Sequence, residues 1–346
     1  MNPRVSVIIV SWDGLALLQK CLPSVLATEY DNFEIVVVDN GSVDGSVEWL
    51  TQQDVTLLPQ ESNLGFCGGN NVGIAKTSSD FVVLLNNDVE VAADWLSELV
   101  AQASTEPTIA AVQPKILDYS DRTRFEYAGA AGGHLDSVGY PFASGRLFDT
   151  IETDEGQYDE PMPIFWASGA ALLLRRSALT EVGLLDERLF MHMEEIDLCW
   201  RLWQAGYSVR LAPKSRVYHI GGASLAQGSP KKMYYNFRNS LLLLYKHTSP
   251  GRWPLQFTKR VLLDVLAVVR GMLVLRPRES WAIVRAYADA HKMKKGFDQD
   301  RPDNDEDTFR PSYDGSIAAQ YFFLGRKRFQ DLPTKRFQGP FRDRTR

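Results

Sequence analysis

An α/β fold built on a mostly parallel sheet, flanked by helices and followed by a helical extension, is what this sequence predicts. Three observations lead there. Apolar runs rich in β-branched residues, such as VSVIIV and FVVLL, read as strands buried on both faces, the habit of parallel sheets. Stretches of helical apolar spacing separate these runs over the first third of the chain. Each main run also ends in a small polar cluster, and open α/β sheets take their ligands at the carboxyl ends of strands.

The elements follow in order. Residues 5–10 form a first strand, and residues 15–26 carry helical spacing interrupted by Pro23. A second buried strand covers 33–38; Ser42 or Asp44 can cap the helix that runs through Val47 and Leu50. A weaker strand at 55–58 leads to a glycine-rich turn, NLGFCGGNN, and a short helix ending near Ala75. The strand from Phe81 follows, then a helix over 93–103 and a strand near 109–113. Residues 115–165 are rich in Gly, Asp, Tyr and Pro without helical period, which predicts loops and short antiparallel strands. Regular structure returns in FWASGAALLLRR; a loop and helix follow over 183–207, then a strand near 209–211 and the segment VYHIGGAS. Three amphipathic helical segments lie beyond residue 229. The domain expectation is 1–228, divided into halves 1–114 and 115–228, then a helical region 229–297, and an acidic linker with a basic aromatic tail over 298–346.

Bulk composition excludes several classes. A chain of 346 residues with 45% hydrophobic and 23% charged residues is ordinary for a globular protein. The net charge of -5 and pI near 5.7 give no pull toward nucleic acid. Cys21, Cys67 and Cys199 are widely spaced, so neither a disulfide framework nor a zinc site is suggested, and buried thiols of a reducing compartment are expected. The opening MNPRVSVIIVSW is too short for a signal peptide or a span, which places the expected catalytic part in the cytoplasm. The apolar segment 260–275 contains Asp264 and Arg270 and is shorter than the ~20 residues a span requires. It suits packing against the catalytic region or lying in a membrane interface. DQDRPDNDEDT reads as a solvated linker. The end, RKRFQDLPTKRFQGPFRDRTR, interleaves cations with phenylalanines, a pattern that fits an anionic membrane surface at the inner face or a disordered tail.

The chemistry concentrates at three strand ends: Ser11-Trp12-Asp13, Asp39-Asn40-Gly41-Ser42 and Asn86-Asn87-Asp88. In a parallel sheet they lie side by side. Trp12 can stack on a nucleobase, a carboxylate or amide can pair with base-edge groups, and the third cluster can hold a divalent cation against phosphate. No GxGxxG follows the first strand and no GxxxxGK[ST] occurs, against dinucleotide and P-loop folds.

VSVIIVSWDG, IVVVDNGSVDGS, NLGFCGGNN, LLNNDVEV, WASGAALLLRR and LLDERLFMHMEEIDLCWRLWQAGY together resemble the family-2 inverting glycosyltransferases of GT-A fold. They are most similar to the bacterial rhamnosyltransferase-like branch that builds cell-surface polysaccharides, and the motifs span roughly residues 3–240 in the family's order. The resemblance implies a nucleoside-diphosphate sugar donor, rhamnose favoured, and a glycan or lipid-linked glycan acceptor. Ser11, Trp12, Asp39 and Asn40 would meet the nucleotide, with Asn63, Gly68, Gly69 and Asn70 as a donor-side loop and Asn86 and Asn87 beside the phosphates. Asp88 is the retained carboxylate of a D-x-D motif, and with His219 it would hold Mg2+ or Mn2+. Asn40 and Asn86 stand where the family carries carboxylates. Glu195 occupies the position of the catalytic base, with Glu194 beside it on the acceptor side and Asp197 set to pair with Arg201 at i,i+4. Trp166, Ser168 and Gly169 would form the acceptor platform, and Arg238 and Asn239 would close over the diphosphate. Two rivals stand beside this reading. A sugar nucleotidyltransferase would carry a basic glycine-rich loop after the first strand, which VSWDGLALLQK lacks. A non-catalytic sugar-binding module would not bring Asp88, Glu195 and His219 together.

Overall fold

The computed structural model describes residues 2–221, 229–304 and 310–342. Residues 222–224 of VYHIGGAS and 305–309 of the acidic linker lie outside these. The elements are β1 (Val5–Ser11), α1 (Leu15–Leu26), β2 (Phe33–Asp39), α2 (Ser46–Leu50), β3 (Thr56–Pro59), α3 (Gly65–Ala75), β4 (Phe81–Asn86), β5 (Val89–Val91), α4 (Trp95–Ser104) and β6 (Ile109–Asp118). There follow β7 (Gly133–Leu135), β8 (Pro141–Ala143), β9 (Arg146–Leu147), β10 (Thr150–Ile151), β11 (Ala171–Arg175), α5 (Arg176–Val182), α6 (Glu194–Gln204) and β12 (Ser208–His219). Helices α7 (Pro230–Lys246), α8 (Trp253–Leu273) and α9 (Pro277–Met293) complete the main elements.

Two compact units result, residues 1–133 with 143–221 and residues 134–142 with 222–346. The first is organised on an eight-stranded sheet of order β3-β2-β1-β4-β11-β6-β12-β5. Strands β3, β2, β1 and β4 run parallel, β11 is antiparallel to both β4 and β6, and β12 returns parallel to β6. The sheet is therefore mixed α/β, with its parallel half at the amino-terminal side. Alternation along β1 divides the layers. Val5, Val7 and Ile9 join the core that includes Leu18 and Leu22 of α1 and Trp95 and Leu99 of α4. Ile8 and Val10 lie instead beneath α3, where a Cβ on Gly73 would come 2.5 Å from Ile8 and one on Gly69 would come 2.7 Å from Val10.

That packing explains one difference from the sequence expectation. The glycine-rich stretch is not a turn ahead of a helix; it is the first half of α3, and its glycines let the helix seat directly on β1. Helix α1 runs unbroken through Pro23 because burial of Leu18, Cys21, Leu22 and Val25 offsets the missing bond. Asp44 accepts the backbone N–H groups of both Leu15 (2.9 Å) and Ser46 (3.1 Å), so one carboxylate steadies the starts of two helices. The strands β6 and β12 are longer than expected because they pair with each other out to Asp118 and His219, past an irregularity between Ala212 and Arg216. All three cysteines are buried free thiols.

The second unit contains α7, α8 and α9, with Leu241 to Leu244 and Ala282, Ile283 and Ala286 among its buried residues. Its carboxy-terminal segment corrects an expectation. Phe329, Phe337 and Phe341 are buried around His134, with Phe142 in the same aromatic cluster, so these rings fill the unit's own core and are not offered to a membrane. Aromatic area of this size is more favourably buried than left in water.

Candidate active site

The first part of the site is built where β1 and β2 end in register, Ser11 opposite Asp39. The backbone N–H of Asn40 donates to Ser11 O at 2.8 Å. The next turns are tied together: Asp13, in the left-handed region at φ +46°, donates its N–H to Ser42 Oγ (2.9 Å) and accepts from the Val43 N–H at 2.9 Å. This leaves Trp12 on the rim, 55% exposed. Asp39 and Asn40 are buried, and each is only half satisfied. Asp39 Oδ2 accepts from Ser42 N–H (2.9 Å) and Asn40 Nδ2 donates to Gly65 O (3.0 Å), but Asp39 Oδ1 and Asn40 Oδ1 have no partner. Buried acceptors left unpaired cost about 1–3 kcal/mol each, and two at adjacent positions of a strand end are suited to donors on a ligand.

Helix α3 links this corner to the rest. Asn63 Oδ1 accepts from Gly65 N–H at 2.8 Å and Asn70 Nδ2 donates to Phe66 O at 2.9 Å, so these amides order the helix itself. A Cβ on Gly69 would lie 3.1 Å from Asn40 Nδ2.

The second part follows β4. Asn87 Nδ2 donates to Ser11 Oγ (2.9 Å), fastening the third polar cluster to the first, and Asn86 N–H donates to Ala170 O (3.0 Å). Asp88 is buried with its Oδ1 3.1 Å from His219 Nε2. β5 pairs with the end of β12, His219 opposite Val89, and that register sets the contact. On the other side of the ring Glu126 Oε2 is 2.9 Å from His219 Nδ1, a close ion pair set off the ideal hydrogen-bond line. Burial favours a neutral imidazole, but Asp88 and Glu126 outweigh it and push His219 up to about 10. For Asp88, burial works upward and is outweighed by His219, which holds the carboxyl below its ordinary range.

Among the described residues no group of three His, Cys, Asp or Glu side chains is arranged to hold a metal ion. Asp88 and His219 form a two-donor half-site, a carboxylate and an imidazole that suit Mg2+ or Mn2+ when diphosphate oxygens and water complete the coordination. Glu126, on the far side of the ring, is the sort of carboxylate that orients a ligating histidine. Sequence reasoning missed it because it lies in the irregular segment between strands.

The third part is the acidic turn into α6. Phe190, His192 and Met193 all have positive φ (+67°, +65° and +75°), a rare conformation for side-chain-bearing residues, and Glu194 and Glu195 follow at once. The loop leans on α3. Cys67 N–H donates to Phe190 O at 3.2 Å, and a Cβ on Gly65 would come 2.6 Å from the Phe190 ring. Oε2 of Glu194 and Oε2 of Glu195 are buried without partners. Burial raises Glu195 to about 7 against the pull of nearby backbone N–H groups, and burial with the Glu195 charge raises Glu194 well above the carboxylate range. A carboxylate poised near neutrality has the proton affinity a general base requires. Asp197 pairs with Arg201 Nε at 2.9 Å, and Arg201 also donates to Leu184 O at 2.7 Å, binding α6 to the preceding loop.

The acceptor side differs from expectation. Trp166 is 5% exposed with its ring closed over Gly133, where even a Cβ would come within 2.0 Å, so it fills the core and has no open stacking face. The Ser168 hydroxyl is committed to Ala128 O and its N–H to Gln113 Oε1 (2.7 Å). Gly169 faces Phe66, whose ring edge would meet a Cβ at 3.1 Å. Phe66, half-buried between α3 and Gly169, is the aromatic the sequence reading passed over; its place among the glycines of NLGFCGGNN was the signal. Arg238 and Asn239 belong to the second unit, where Arg238 Nε donates to Asn239 Oδ1 at 2.8 Å and the guanidinium lies over Tyr235. Contacts thus run without a break from Asp39 and Asn40 through α3 to the acidic turn, and from Ser11 through Asn87 to Asp88.

The sequence profile of Glycosyl transferase family 2 matches residues 6–183. An N-acetylglucosaminyl-diphospho-decaprenol L-rhamnosyltransferase of Mycobacterium tuberculosis (strain ATCC 25618 / H37Rv) is 30% identical over 279 residues, 75% of this chain and 90% of that protein. The uncharacterized protein y4gI of Sinorhizobium fredii is 32% identical over 257 residues, which is 69% of this chain; the match spans only 27% of that longer protein. Among solved structures, GalNAc-T7 with UDP, GalNAc and Mn2+ superposes with a TM-score of 0.56 at 21% identity, over 70% of this chain and 48% of the other. Mannosyltransferase PcManGT from Pyrobaculum calidifontis, with GDP-Man and Mn2+, gives 0.53 at 16% identity, over 85% and 88%. At these identities the two structures speak to the fold alone.

Proposed function

The chain belongs to glycosyl transferase family 2 as a glycosyltransferase of GT-A fold, and from that premise we propose the reaction it performs. It moves a sugar, rhamnose by preference, from a nucleoside-diphosphate donor to a hydroxyl of a growing lipid-linked glycan, with inversion at the anomeric carbon. Residues 1–114 serve the donor and 115–228 the acceptor, and the work is done at the cytoplasmic face of the membrane. The preference for rhamnose leans on the printed activity of the mycobacterial relative.

The observation that carries the reading is the continuity between two half-satisfied polar corners. Asp39 Oδ1 and Asn40 Oδ1 await donors at the strand ends, and the carboxyl oxygens of Glu194 and Glu195 await a proton across α3. In the proposed reaction Trp12 covers the base, Asp39 and Asn40 accept from its edge and sugar, and Asn86 and Asn87 line the phosphates. Asp88 and His219 would hold a divalent cation, which when bound neutralises charge on the departing diphosphate. Glu195 takes the proton of the acceptor hydroxyl as that oxygen attacks from the face opposite the leaving group, and Glu194 stays protonated beside it and can donate to the acceptor. No covalent enzyme intermediate is required. Charge separation is limited because the base is neutralised as the diphosphate leaves.

The deciding experiment is a screen of nucleotide sugars for hydrolysis and transfer, with Mn2+ and with Mg2+, on the wild type, Asp88→Ala and Glu195→Gln. Turnover with at least one donor, abolished by both substitutions, is the expected result. Donor binding without turnover in the wild type would make the chain a binding protein instead.

A further inference from the structure

Helix α8 is inverted relative to a helix of a water-exposed protein. With 3.6 residues per turn, Arg260 and Asp264 share one face, and that face is the buried one. Arg260 Nε meets Asp264 Oδ2 at 2.8 Å, Nη2 donates to Ser240 Oγ at 2.8 Å, and Nη1 reaches Val138 O at 3.2 Å; the Tyr287 hydroxyl donates to Asp264 at 2.7 Å and that of Tyr140 donates to it as well. Leu262, Leu266, Val269 and Leu273 project from the opposite face and are exposed. The polar side chains are inside and the apolar ones outside.

The exposed face widens at its end. Leu273 and Leu275 are 78% and 87% exposed, Trp281 at the start of α9 is 68% exposed, and Phe323 is 70% exposed. Arg270 lies over the Phe322 ring at 5.5 Å, which joins the 322–324 turn to the end of α8. A contiguous apolar surface of this kind on a folded unit marks an interaction site.

Charge identifies the partner. Exposed Lys259, Arg270, Arg276, Arg278, Arg285 and Lys327 fringe the apolar residues. Between residues 253 and 285 the only carboxylates are Asp264, buried on Arg260, and Glu279, 3.6 Å from Arg276. A second copy docked by a two-fold axis would set this cationic fringe against itself. An anionic lipid headgroup complements it. No helix among the described residues is long and apolar enough to cross a membrane, so the fit is to the plane of the interface.

We propose that the outer face of α8, the turn after it and residues 322–324 form a docking surface for an anionic phospholipid bilayer, with the apolar side chains among the upper acyl chains and the cations at the phosphates. The surface would bring the enzyme to the lipid-linked acceptor proposed above, and it deepens that reading, yet its binding can be measured without any sugar transfer.

The test uses the full chain and vesicle co-sedimentation. Wild type should bind vesicles containing phosphatidylglycerol, bind phosphatidylcholine vesicles much less, and release as salt is raised. Leu273→Ser/Leu275→Ser/Phe323→Ser should lose roughly tenfold or more of this partitioning, and Arg276→Gln/Arg278→Gln/Lys327→Gln should lose the preference for phosphatidylglycerol. All six side chains are exposed, so thermal unfolding should not change. No binding of wild type to phosphatidylglycerol vesicles, unchanged binding by the apolar triple variant, or dissociation of a solution dimer by that variant would each overturn the proposal. Transfer to a soluble acceptor without vesicle binding would sink only this inference; vesicle binding without turnover would sink only the proposed reaction.

Discussion

His219 Nε2 stands 3.1 Å from Asp88 Oδ1, a contact made by the last pairing of β12 with β5 and completed on the other side of the ring by Glu126 at 2.9 Å from Nδ1. An imidazole fixed on its Nδ1 side presents Nε2 toward the strand end where a diphosphate would lie. Geometry of this kind depends on the outer carboxylate as much as on the ligands themselves.

Glu126→Gln should therefore weaken Mn2+ binding about tenfold to a hundredfold without touching the strand ends that bind nucleotide. Free Mn2+ measured by electron paramagnetic resonance, with a nucleoside diphosphate present, checks this. Asp88→Asn should reduce binding further, since it removes the only carboxylate on that side.

Glu195 gives a pH signature. Its carboxyl is raised to about 7 by burial, so the ionised form a base needs accumulates as pH rises, and the transfer rate should climb through neutrality to a plateau. Stability runs the other way. The folded form holds this proton more tightly than the unfolded chain, so the associated stability is fully present below the ordinary glutamate range and is lost as pH rises through about 7. Glu195→Gln should flatten that decline and cut transfer by about 10²–10⁴-fold, with donor binding retained. Denaturant unfolding at several pH values, set beside single-turnover transfer, checks both.

At Gly69 an added methyl would sit 2.7 Å from Val10 and 3.1 Å from Asn40 Nδ2. Gly69→Ala should cost about 1–3 kcal/mol through overpacking and should weaken nucleotide binding by displacing Asn40. Urea denaturation and calorimetric titration of nucleoside diphosphate separate the two effects.

In the second unit, Asp264→Leu strands the buried Arg260 and should cost about 3–5 kcal/mol, while Arg260→Met/Asp264→Leu should recover most of that loss. Urea unfolding of the full chain measures it.

The sequence made part of this architecture legible for a simple reason: β1, β2 and β4 are buried on both faces, so their composition marks them, and their polar ends mark the site. Ser11, Asp39 and Asn87 come together because neighbouring strands share a register, which pattern alone implies. Glu126 was out of reach, since its partner His219 lies far along the chain and only the return of β12 beside β6 unites them. The sense of α3 was missed because glycines read as a turn until the strand beneath them is known. Periodicity shows that α8 has two faces, but it cannot say which one points inward, and here the buried Arg260–Asp264 pair reverses the usual answer. The tail's phenylalanines followed the same logic in the other direction, finding Phe142 and His134 in place of lipid.

The three left-handed residues ahead of Glu194 carry a consequence for how the catalyst is assembled. A loop that is unfavourable by itself keeps its shape only while something braces it, and the brace visible here is α3, through Gly65 and Cys67 against Phe190. That same helix also closes over Asn40. The carboxylates and the donor corner are thus interlocked through one shared support, so loosening either end should disarm the other, and an enzyme with a disordered donor side would have no base positioned to misfire on water.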